Sequence, residues 1–171
     1  TSGVSRGKMK NTGTARKVFI LGSAHPLRGG LAAYNERLAR AYINRGDEVI
    51  IYTFSLQYPS ILFPGKTQYS ADPAPADLDI RIKVNSVNPL NWIWIGQEIR
   101  DLKPDLVLIK FWIPFMAPCL GTIARIIRKN KHSKIVSVID NIVPHEKRPG
   151  DRWLGNYWVK SVDGFVVMSK S

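Results

Sequence analysis

Short apolar runs alternate with longer amphipathic stretches along most of this chain, and this alternation constrains the fold more than any other feature. The apolar runs are rich in β-branched residues and are bounded by polar or glycine-containing segments, which is typical of strands buried in a parallel sheet. The predicted strands are residues 17–23, 47–55, 78–84, 105–110, 134–140 and 164–169.

The stretches between these runs show helical periodicity. Within residues 30–46, Leu31, Tyr34 and Leu38 recur at helical spacing, and Gly46 stands where a helix-ending glycine is expected. The predicted helices are residues 30–46, 91–103, 117–130 and 151–162. Strands and helices in alternation predict an α/β fold, namely a Rossmann-like, doubly wound, mostly parallel sheet with helices on both faces.

The length of 171 residues suits one domain or one half of a two-domain protein. We interpret residues 1–16 as a flexible basic N-terminus, and residues 1–8, which precede Met9, as a non-native extension. No apolar segment follows the first basic residues as a secretory signal requires, and residues 111–124 are too short for a membrane span. The single cysteine, Cys119, lies in an apolar stretch and is predicted to be buried.

Basic residues outnumber acidic ones by a wide margin. The sequence has 25 Lys and Arg against 13 Asp and Glu, a formal net charge of +12. A charge of this size indicates attraction to an anionic partner and says nothing about the fold. Nucleic acid, an anionic membrane and a polyanionic substrate are the candidates, and a solvated basic surface is the alternative. Nucleic acid is the weakest of them, because the sequence has no helix-turn-helix, zinc or RNA-recognition motif.

Three loops that follow predicted strands carry the polar residues best suited to chemistry. In an open α/β sheet, ligands bind at the carboxyl ends of the strands, so we expect these loops to converge. Their residues are His25, Arg28, Gly29 and Gly30 in the first loop, Phe111 and Trp112 in the second, and Asp140, His145 and Glu146 in the third. Residues 56–78 form a further long, proline-rich loop, and long loops inside compact domains are often functional.

The glycine pair Gly29–Gly30 has two interpretations. It opens a predicted helix, whose free N–H groups and positive dipole end favour an anion such as phosphate, and Arg28 adds positive charge. Alternatively, the pair only makes a turn. The dinucleotide fingerprint G-x-G-x-x-G and the Walker sequence are both absent here.

Asp140 and the adjacent pair His145–Glu146 are candidates for acid–base chemistry. A carboxylate partner fixes the tautomer of an imidazole that acts as a base, but a turn-forming Asp and a surface His remain the alternative. The histidines and the cysteine show no metal-ligand spacing, and we interpret His132 as part of a solvated basic turn. Trp92 and Trp94 cannot share one face of a helix, so one of them is a candidate for an exposed anchor; tryptophan faces also suit sugar rings, and core packing is the alternative.

Four segments in order resemble a known family: GGLAAYNERLARAYINRGDEVIIYTFS (29–55), PDLVLIKFWIPFMAPCLGTIARIIR (104–128), DNIVPHE (140–146) and VDGFVVMSKS (162–171). Together they resemble the N-terminal half of family 4 glycosyltransferases, which are retaining enzymes with the GT-B fold of two facing Rossmann-like domains. The resemblance covers residues 17–171. It implies an acceptor-side domain here and a donor-binding C-terminal domain, absent from this chain, in the same polypeptide. The isolated half is expected to be inactive.

The resemblance also implies roles for individual residues. Its catalytic candidates are Asp140, His145 and Glu146, although many members carry His where this chain has Asp140. The candidates for contact with the donor phosphates are Arg28, Gly29 and Gly30, and the candidates for acceptor contact are His25, Trp112 and Asn141. No cofactor is expected on the chain itself, since the UDP- or GDP-sugar is the donor substrate of the full enzyme, and no metal is expected.

The implied function is transfer of a sugar to an acceptor hydroxyl in the synthesis of glycolipid or cell-surface polysaccharide. The expected location is cytoplasmic and peripheral at the inner face of the cytoplasmic membrane, where Lys8, Lys10, Arg16, Lys17 and residues 125–134 meet anionic lipid. The alternatives are a Rossmann-like domain of another sugar-nucleotide enzyme and a basic nucleic-acid-binding module.

Overall fold

Six strands form one parallel sheet at the centre of the molecule. The structure is a computed structural model that describes residues 14–27, 29–56, 69–111, 114–140 and 150–168, without the side chains of Pro114, Asp140, Asp151 and Met168. The strands are Lys17–Leu21 (β1), Glu48–Leu56 (β2), Asp79–Asn85 (β3), Leu106–Phe111 (β4), Lys134–Asp140 (β5) and Gly164–Met168 (β6). They lie in the order β3-β2-β1-β4-β5-β6, and every neighbouring pair is parallel. This is the doubly wound Rossmann-like order, and the predicted fold class is confirmed.

Helices cover both faces of the sheet. They are Gly30–Asn44 (α1), Pro89–Leu102 (α2), Ala117–Arg128 (α3) and Asp151–Val159 (α4), with a short 3-10 turn at Pro114–Met116. α2 begins two residues before its predicted start because Pro89 occupies the first turn and the Asn88 side chain accepts the N–H of Leu90. Gly46 has a φ of +94° just beyond α1, as predicted for a helix-ending glycine.

Alternate residues of the strands enter two separate cores. One core contains Val18 and Ile20 and packs under α1, and the other contains Phe19 and Leu21 and packs under α2, α3 and α4. This explains why the central strands β1, β2 and β4 are apolar in continuous runs: both faces of the sheet are buried there, whereas β3 and β6 lie at its edges. Cys119 is buried in the larger core as predicted, and burial raises the pKa of its thiol to about 12.

A polar network ties together the amino ends of three strands. The Asp105 carboxylate accepts the backbone N–H of Lys17 at 2.8 Å and lies 2.8 Å from Nε2 of His132. The Lys17 hydrogen bond, assisted by His132, holds the pKa of Asp105 below its ordinary value. The interpretation of His132 as part of a solvated turn was therefore incomplete, because the half-exposed ring also joins β4 to the turn before β5.

The two tryptophans of α2 lie on different faces, one of them exposed, and the role of the exposed one as an anchor stays a prediction. Trp94 of α2 is 73% exposed, whereas Trp92 turns inward and donates its indole N–H to the Asn85 carbonyl at 2.7 Å. In the part of the chain that the structure describes, no helix is both long and apolar enough to span a bilayer.

Candidate functional site

The strand order reverses between β1 and β4, and ligands of doubly wound sheets bind in the crevice outside such a reversal. The parallel register pairs Leu21 with Ile109 and Phe111 with Ile139. The carboxyl ends of β1, β4 and β5 therefore lie side by side at one edge of the sheet. These are the strand ends from which the three predicted loops depart.

The first of these loops is fixed by backbone hydrogen bonds to β2. The Gly22 N–H donates to the Tyr52 carbonyl at 3.0 Å, and the Ala24 N–H donates to Oγ1 of Thr53 at 2.9 Å. A Cβ on Gly22 would lie 2.8 Å from Nδ2 of Asn35, which itself donates to the Ser23 carbonyl at 2.9 Å. Gly22 thus lets α1 pack closely against the start of the loop.

Gly29 and Gly30 form the start of α1, and their backbone conformations and surroundings differ. Gly29 has a φ of +119°, which L side chains rarely adopt. Gly30 has no such φ, and a Cβ on it would meet nothing within 4 Å. No side chain caps the helix at Gly29, and its first turn holds no acidic residue. Among the described residues, no side chain therefore caps the backbone N–H groups and the positive dipole end at the start of α1.

A cavity of about 200 Å³ opens beside this helix start. The loop after β1, one face of α1 and the segment before β3 line it, through residues His25, Leu27, Gly29, Ala32, Ala33, Glu36, Ser70, Asp72, Pro73 and Pro75. The residues at positions 29, 32 and 33 are small and so leave space for the cavity. Glu36 supplies a carboxylate one turn further along the same face of α1. The cavity thus joins apolar walls to a few polar groups, as ligand sites commonly do.

His25 connects two walls of this cavity, α1 and the segment that contains Asp72. Its backbone N–H donates to Oε1 of Glu36 at 3.0 Å, and its Nε2 lies 2.8 Å from the Asp72 carbonyl oxygen, an acceptor. Nε2 is therefore the protonated nitrogen in this contact. The ring holds the wall formed by Asp72 in place while it borders the open space.

The segment at residues 69–77 packs along the first loop and α1. Tyr69 forms an antiparallel bridge with Leu27, and the Ser70 N–H donates to the Pro26 carbonyl at 2.7 Å. Lower on the helix, Asp77 receives two hydrogen bonds from Arg40, at 2.7 and 3.3 Å. The hydrogen bond from Arg40 holds the pKa of Asp77 below its ordinary value. This part of the proline-rich loop thus builds one wall of the cavity.

Two residues at this edge were not found by sequence reasoning. Glu36 was missed although it shares a helix face with Gly29, and the small residues between them were the available signal. Lys110 was missed although it is the one cation in the apolar run DLVLIK. It is 5% exposed, and its Nζ lies 3.7 Å from the ring centroid of Tyr34 of α1. Lys110 thus places positive charge close to the crevice.

The structure brings His25 and Gly29 together around one cavity, and Gly30 follows Gly29 as the first residue of α1 without lining that cavity. It places the backbone of Asp140 at the end of β5, on the same edge of the sheet. The predicted residues Arg28, Trp112, Asn141, His145 and Glu146 lie outside the described residues. Within the described ranges, no group of three or more His, Cys, Asp or Glu side chains is arranged to hold a metal ion.

The strand order and the helices on both faces define a Rossmann-like α/β domain. The chain is similar to an α-glucosyltransferase solved in complex with UDP and a 13-mer DNA containing an HMU base, with a TM-score of 0.58 and 13% identity. The match covers 90% of this chain and 38% of that one. The glycosyltransferase SnogD from Streptomyces nogalater gives a TM-score of 0.42 and 16% identity, over 93% of this chain and 45% of SnogD.

These likenesses concern the fold. The chain spans less than half the length of either structure it matches. No protein-family model matches the sequence, and no curated protein matches it.

Proposed function

We propose that this chain is the acceptor-side, N-terminal half of a retaining, family 4-like glycosyltransferase with the GT-B fold. The enzyme would move a sugar from a UDP- or GDP-sugar to the hydroxyl of a glycan or lipid-linked acceptor. One observation carries the proposal: the uncapped start of α1 adjoins a cavity at the strand edge next to the switch point. The α-glucosyltransferase that shares the fold was solved with UDP, which fits a nucleotide-sugar donor.

A second, donor-binding domain is part of this proposal. Phe165, Val166 and Val167 of the edge strand β6 are 41%, 50% and 63% exposed. Successive strand residues point to opposite faces, so apolar side chains of β6 are exposed on both faces of the sheet. Exposed apolar surface of this kind is typical of contact with further polypeptide. We propose that the polypeptide continues over this edge and brings the donor domain across the crevice.

The departing nucleotide phosphate would meet the start of α1. Negative charge builds on that phosphate as the glycosidic bond breaks, and preorganised N–H donors stabilise such charge. The N–H groups beginning at Gly30 serve this purpose, and the missing Cβ of Gly30 leaves room for a phosphate oxygen to approach. Arg28 adds positive charge in the proposed arrangement.

The sugar ring would react beside the end of β5. An oxocarbenium-like transition state is stabilised by negative charge near the anomeric carbon, and the position of Asp140 on the same edge as Gly30 suits that role. His145 and Glu146 would contact the active site from the loop that follows. In a front-face displacement the leaving phosphate itself takes the proton of the acceptor hydroxyl, so no separate base is required.

The acceptor would occupy the cavity beside α1. His25, Trp112 and Asn141 remain the proposed contacts, and Glu36 joins them because its carboxylate lines the cavity and can accept a hydrogen bond from a sugar hydroxyl. The walls at Ala32 and Ala33 are apolar and suit the C–H face of a sugar ring.

The test is an assay of nucleotide release with the polypeptide that the whole reading frame encodes. UDP-glucose, UDP-N-acetylglucosamine and GDP-mannose are supplied without an added acceptor, so that slow donor hydrolysis reports on the site. We expect the longer polypeptide to release UDP or GDP and residues 1–171 alone to release neither. Asp140→Ala and His145→Ala should each lower the rate at least about tenfold, with an unchanged melting temperature.

The matched control is His132→Ala, since His132 lies at the opposite edge of the sheet. Its release rate should equal that of the wild type. Wild-type rates in both site variants would refute the assignment of those residues. A reading frame without a second Rossmann-like domain would refute the proposed two-domain enzyme and favour a domain of another sugar-nucleotide enzyme.

A further inference from the structure

A second cavity, of about 260 Å³, lies on the outer side of α2 beside the edge strand β3. Its lining residues are Lys83 of β3 and Asn91, Trp94, Ile95 and Glu98 of α2. It shares no lining residue with the cavity beside α1. In the sheet order, β2 separates β3 from β1, so the two cavities lie on different parts of the molecule.

Trp94 forms a wall of this cavity without serving the fold. It is 73% exposed, although burial of an indole is among the larger stabilising contributions that a side chain can make. Its neighbour Ile95 is 3% exposed and belongs to the core, so α2 is anchored without Trp94. The indole therefore offers a flat apolar surface beside a preformed hollow.

The polar groups of the cavity are paired at close range. The Lys83 ammonium lies 2.7 Å from Oε1 of Glu98, which places donor hydrogens and an acceptor side by side. Oε2 of Glu98 is buried, and Glu98 interacts with the hydroxyl of Tyr52, whose pKa is raised to about 12 by burial with a further contribution from Glu98. Oε1, which meets the Lys83 ammonium, is therefore the carboxylate oxygen left for a ligand.

Asn91 fixes the shape of the cavity. Its Oδ1 accepts the Asn85 N–H at 2.8 Å, and its Nδ2 donates to the Lys83 carbonyl at 2.9 Å. The end of β3 and the start of α2 are thereby joined at the rim. These hydrogen bonds of Asn91 fix the shape of the cavity before a ligand binds, which lowers the entropic cost of binding.

We propose that this cavity binds a pyranose unit of a saccharide. A sugar ring has an apolar C–H face, which suits the indole of Trp94, and a rim of hydroxyls, each of which both donates and accepts hydrogen bonds. Glu98 Oε1 accepts from one hydroxyl and the Lys83 ammonium donates to a neighbouring one. This site uses no residue of the proposed transferase site and does not depend on that function.

The test is binding of methyl glycosides to the chain itself. The methyl glycosides of glucose, galactose, mannose and N-acetylglucosamine are each titrated to millimolar concentration, with saturation-transfer NMR as the readout. Xylitol serves as a polyol that lacks a ring face. We expect at least one glycoside to bind and xylitol not to bind. Trp94→Ala should weaken that binding by roughly tenfold or more, and Glu98→Gln should weaken it as well, because the paired carboxylate is lost.

The matched control is Trp153→Ala, which removes a tryptophan that is 69% exposed on α4, outside this cavity. It should leave glycoside affinity within about twofold of the wild type. Absence of binding by all four glycosides would overturn the proposal, as would equal effects of the two tryptophan variants. A dimer that Trp94→Ala disperses in sedimentation would also overturn it, because the exposed indole would then serve self-association.

Discussion

Gly29 and Gly30 are adjacent in the sequence, but the structure accounts for glycine differently at the two positions. Gly29 is needed for its φ of +119°, whereas Gly30 is required neither by backbone conformation nor by packing. The sequence located the turn, because two glycines between a strand and a helix are informative. It could not tell which glycine serves the turn, since φ depends on how the loop meets α1. Gly30 is therefore the glycine that the proposed phosphate contact would explain.

Alanine substitutions separate these two reasons. Gly29→Ala should lower the free energy of unfolding by about 1–3 kcal/mol, because alanine is strained at this φ. Gly30→Ala should leave it unchanged or raise it by up to about 1 kcal/mol, because alanine favours the helix and has space. Urea denaturation of both variants measures the difference. Equal losses in the two variants would show that the turn itself needs both glycines.

The strands and helices were predicted to within a few residues, because burial on both sides of a parallel sheet leaves a continuous apolar signature. The cavity beside α1 was not predictable in the same way. It depends on residues 69–77 meeting His25, a contact between segments far apart in the chain that no local pattern encodes. Glu36 and Lys110 left weak signals in the sequence, but their closeness to the candidate site is apparent only when α1 lies over β1 and β4.

The packing of α3 against α4 depends on Gly121, which no pattern in the sequence singled out. A Cβ on Gly121 would lie 2.5 Å from Cε1 of Tyr157 in α4, whereas a Cβ on Gly155 of α4 would meet nothing within 4 Å. Gly121→Ala should therefore destabilise the protein by about 1–3 kcal/mol through overpacking. Gly155→Ala should stabilise it by roughly 0.5–1 kcal/mol through helix propensity. Thermal unfolding of the pair checks both signs, and a neutral Gly121→Ala would mean that the two helices separate freely.

The network at Asp105 predicts a pH dependence at the amino ends of the strands. The pKa of Asp105 is lowered in the folded chain from its ordinary 3.8, so its contribution is present above that value and is lost as the pH falls through the folded pKa. Asp105→Asn should cost at most about 1 kcal/mol at pH 7, since the carboxylate is partly exposed. The difference from the wild type should shrink as the pH is lowered below the ordinary value.

Urea midpoints of wild type and Asp105→Asn across acidic and neutral pH measure this effect. Asp79→Asn is a suitable control, because Asp79 is an exposed carboxylate whose ion pair with Arg81 is longer, at 3.6 Å. Its effect should be smaller at neutral pH. A cost of Asp105→Asn that persists unchanged below the ordinary pKa would show that shape, and not charge, is what the network needs.

At the scale of the whole molecule, the placement of charge bears on the expected membrane contact. Lys17, Lys103, Lys129 and Lys134 are exposed at the amino edge of the sheet, where β1 and β5 begin and α2 and α3 end. The candidate site lies at the carboxyl edge, about 20 Å away for strands of this length. Lys8 and Lys10, which were also expected to meet lipid, lie outside the described residues.

We expect vesicles of phosphatidylserine to bind the chain at low ionic strength and to release it at high salt, because the attraction is electrostatic. Two double substitutions with equal changes of net charge show which edge is responsible. Lys129→Glu with Lys134→Glu alters the amino edge, and Arg37→Glu with Arg152→Glu alters exposed positions on α1 and α4. The lysine pair should weaken vesicle cosedimentation by about tenfold or more, at roughly 1 kcal/mol per basic residue. The arginine pair should weaken it less.

The orientation has a consequence for the acceptor. A bilayer held at the amino edge faces away from the cavity beside α1, so a lipid-linked acceptor would have to extend its glycan by about the height of the sheet, roughly 20 Å, to reach Glu36. A water-soluble or long-chain glycan acceptor meets no such demand.

If the arginine pair instead abolishes vesicle binding and the lysine pair does not, the bilayer lies towards the site, and a short lipid-linked acceptor becomes the better substrate class. Equal retention on neutral phosphatidylcholine vesicles would contradict electrostatic membrane binding altogether, and the net charge of +12 would then be a solvated surface.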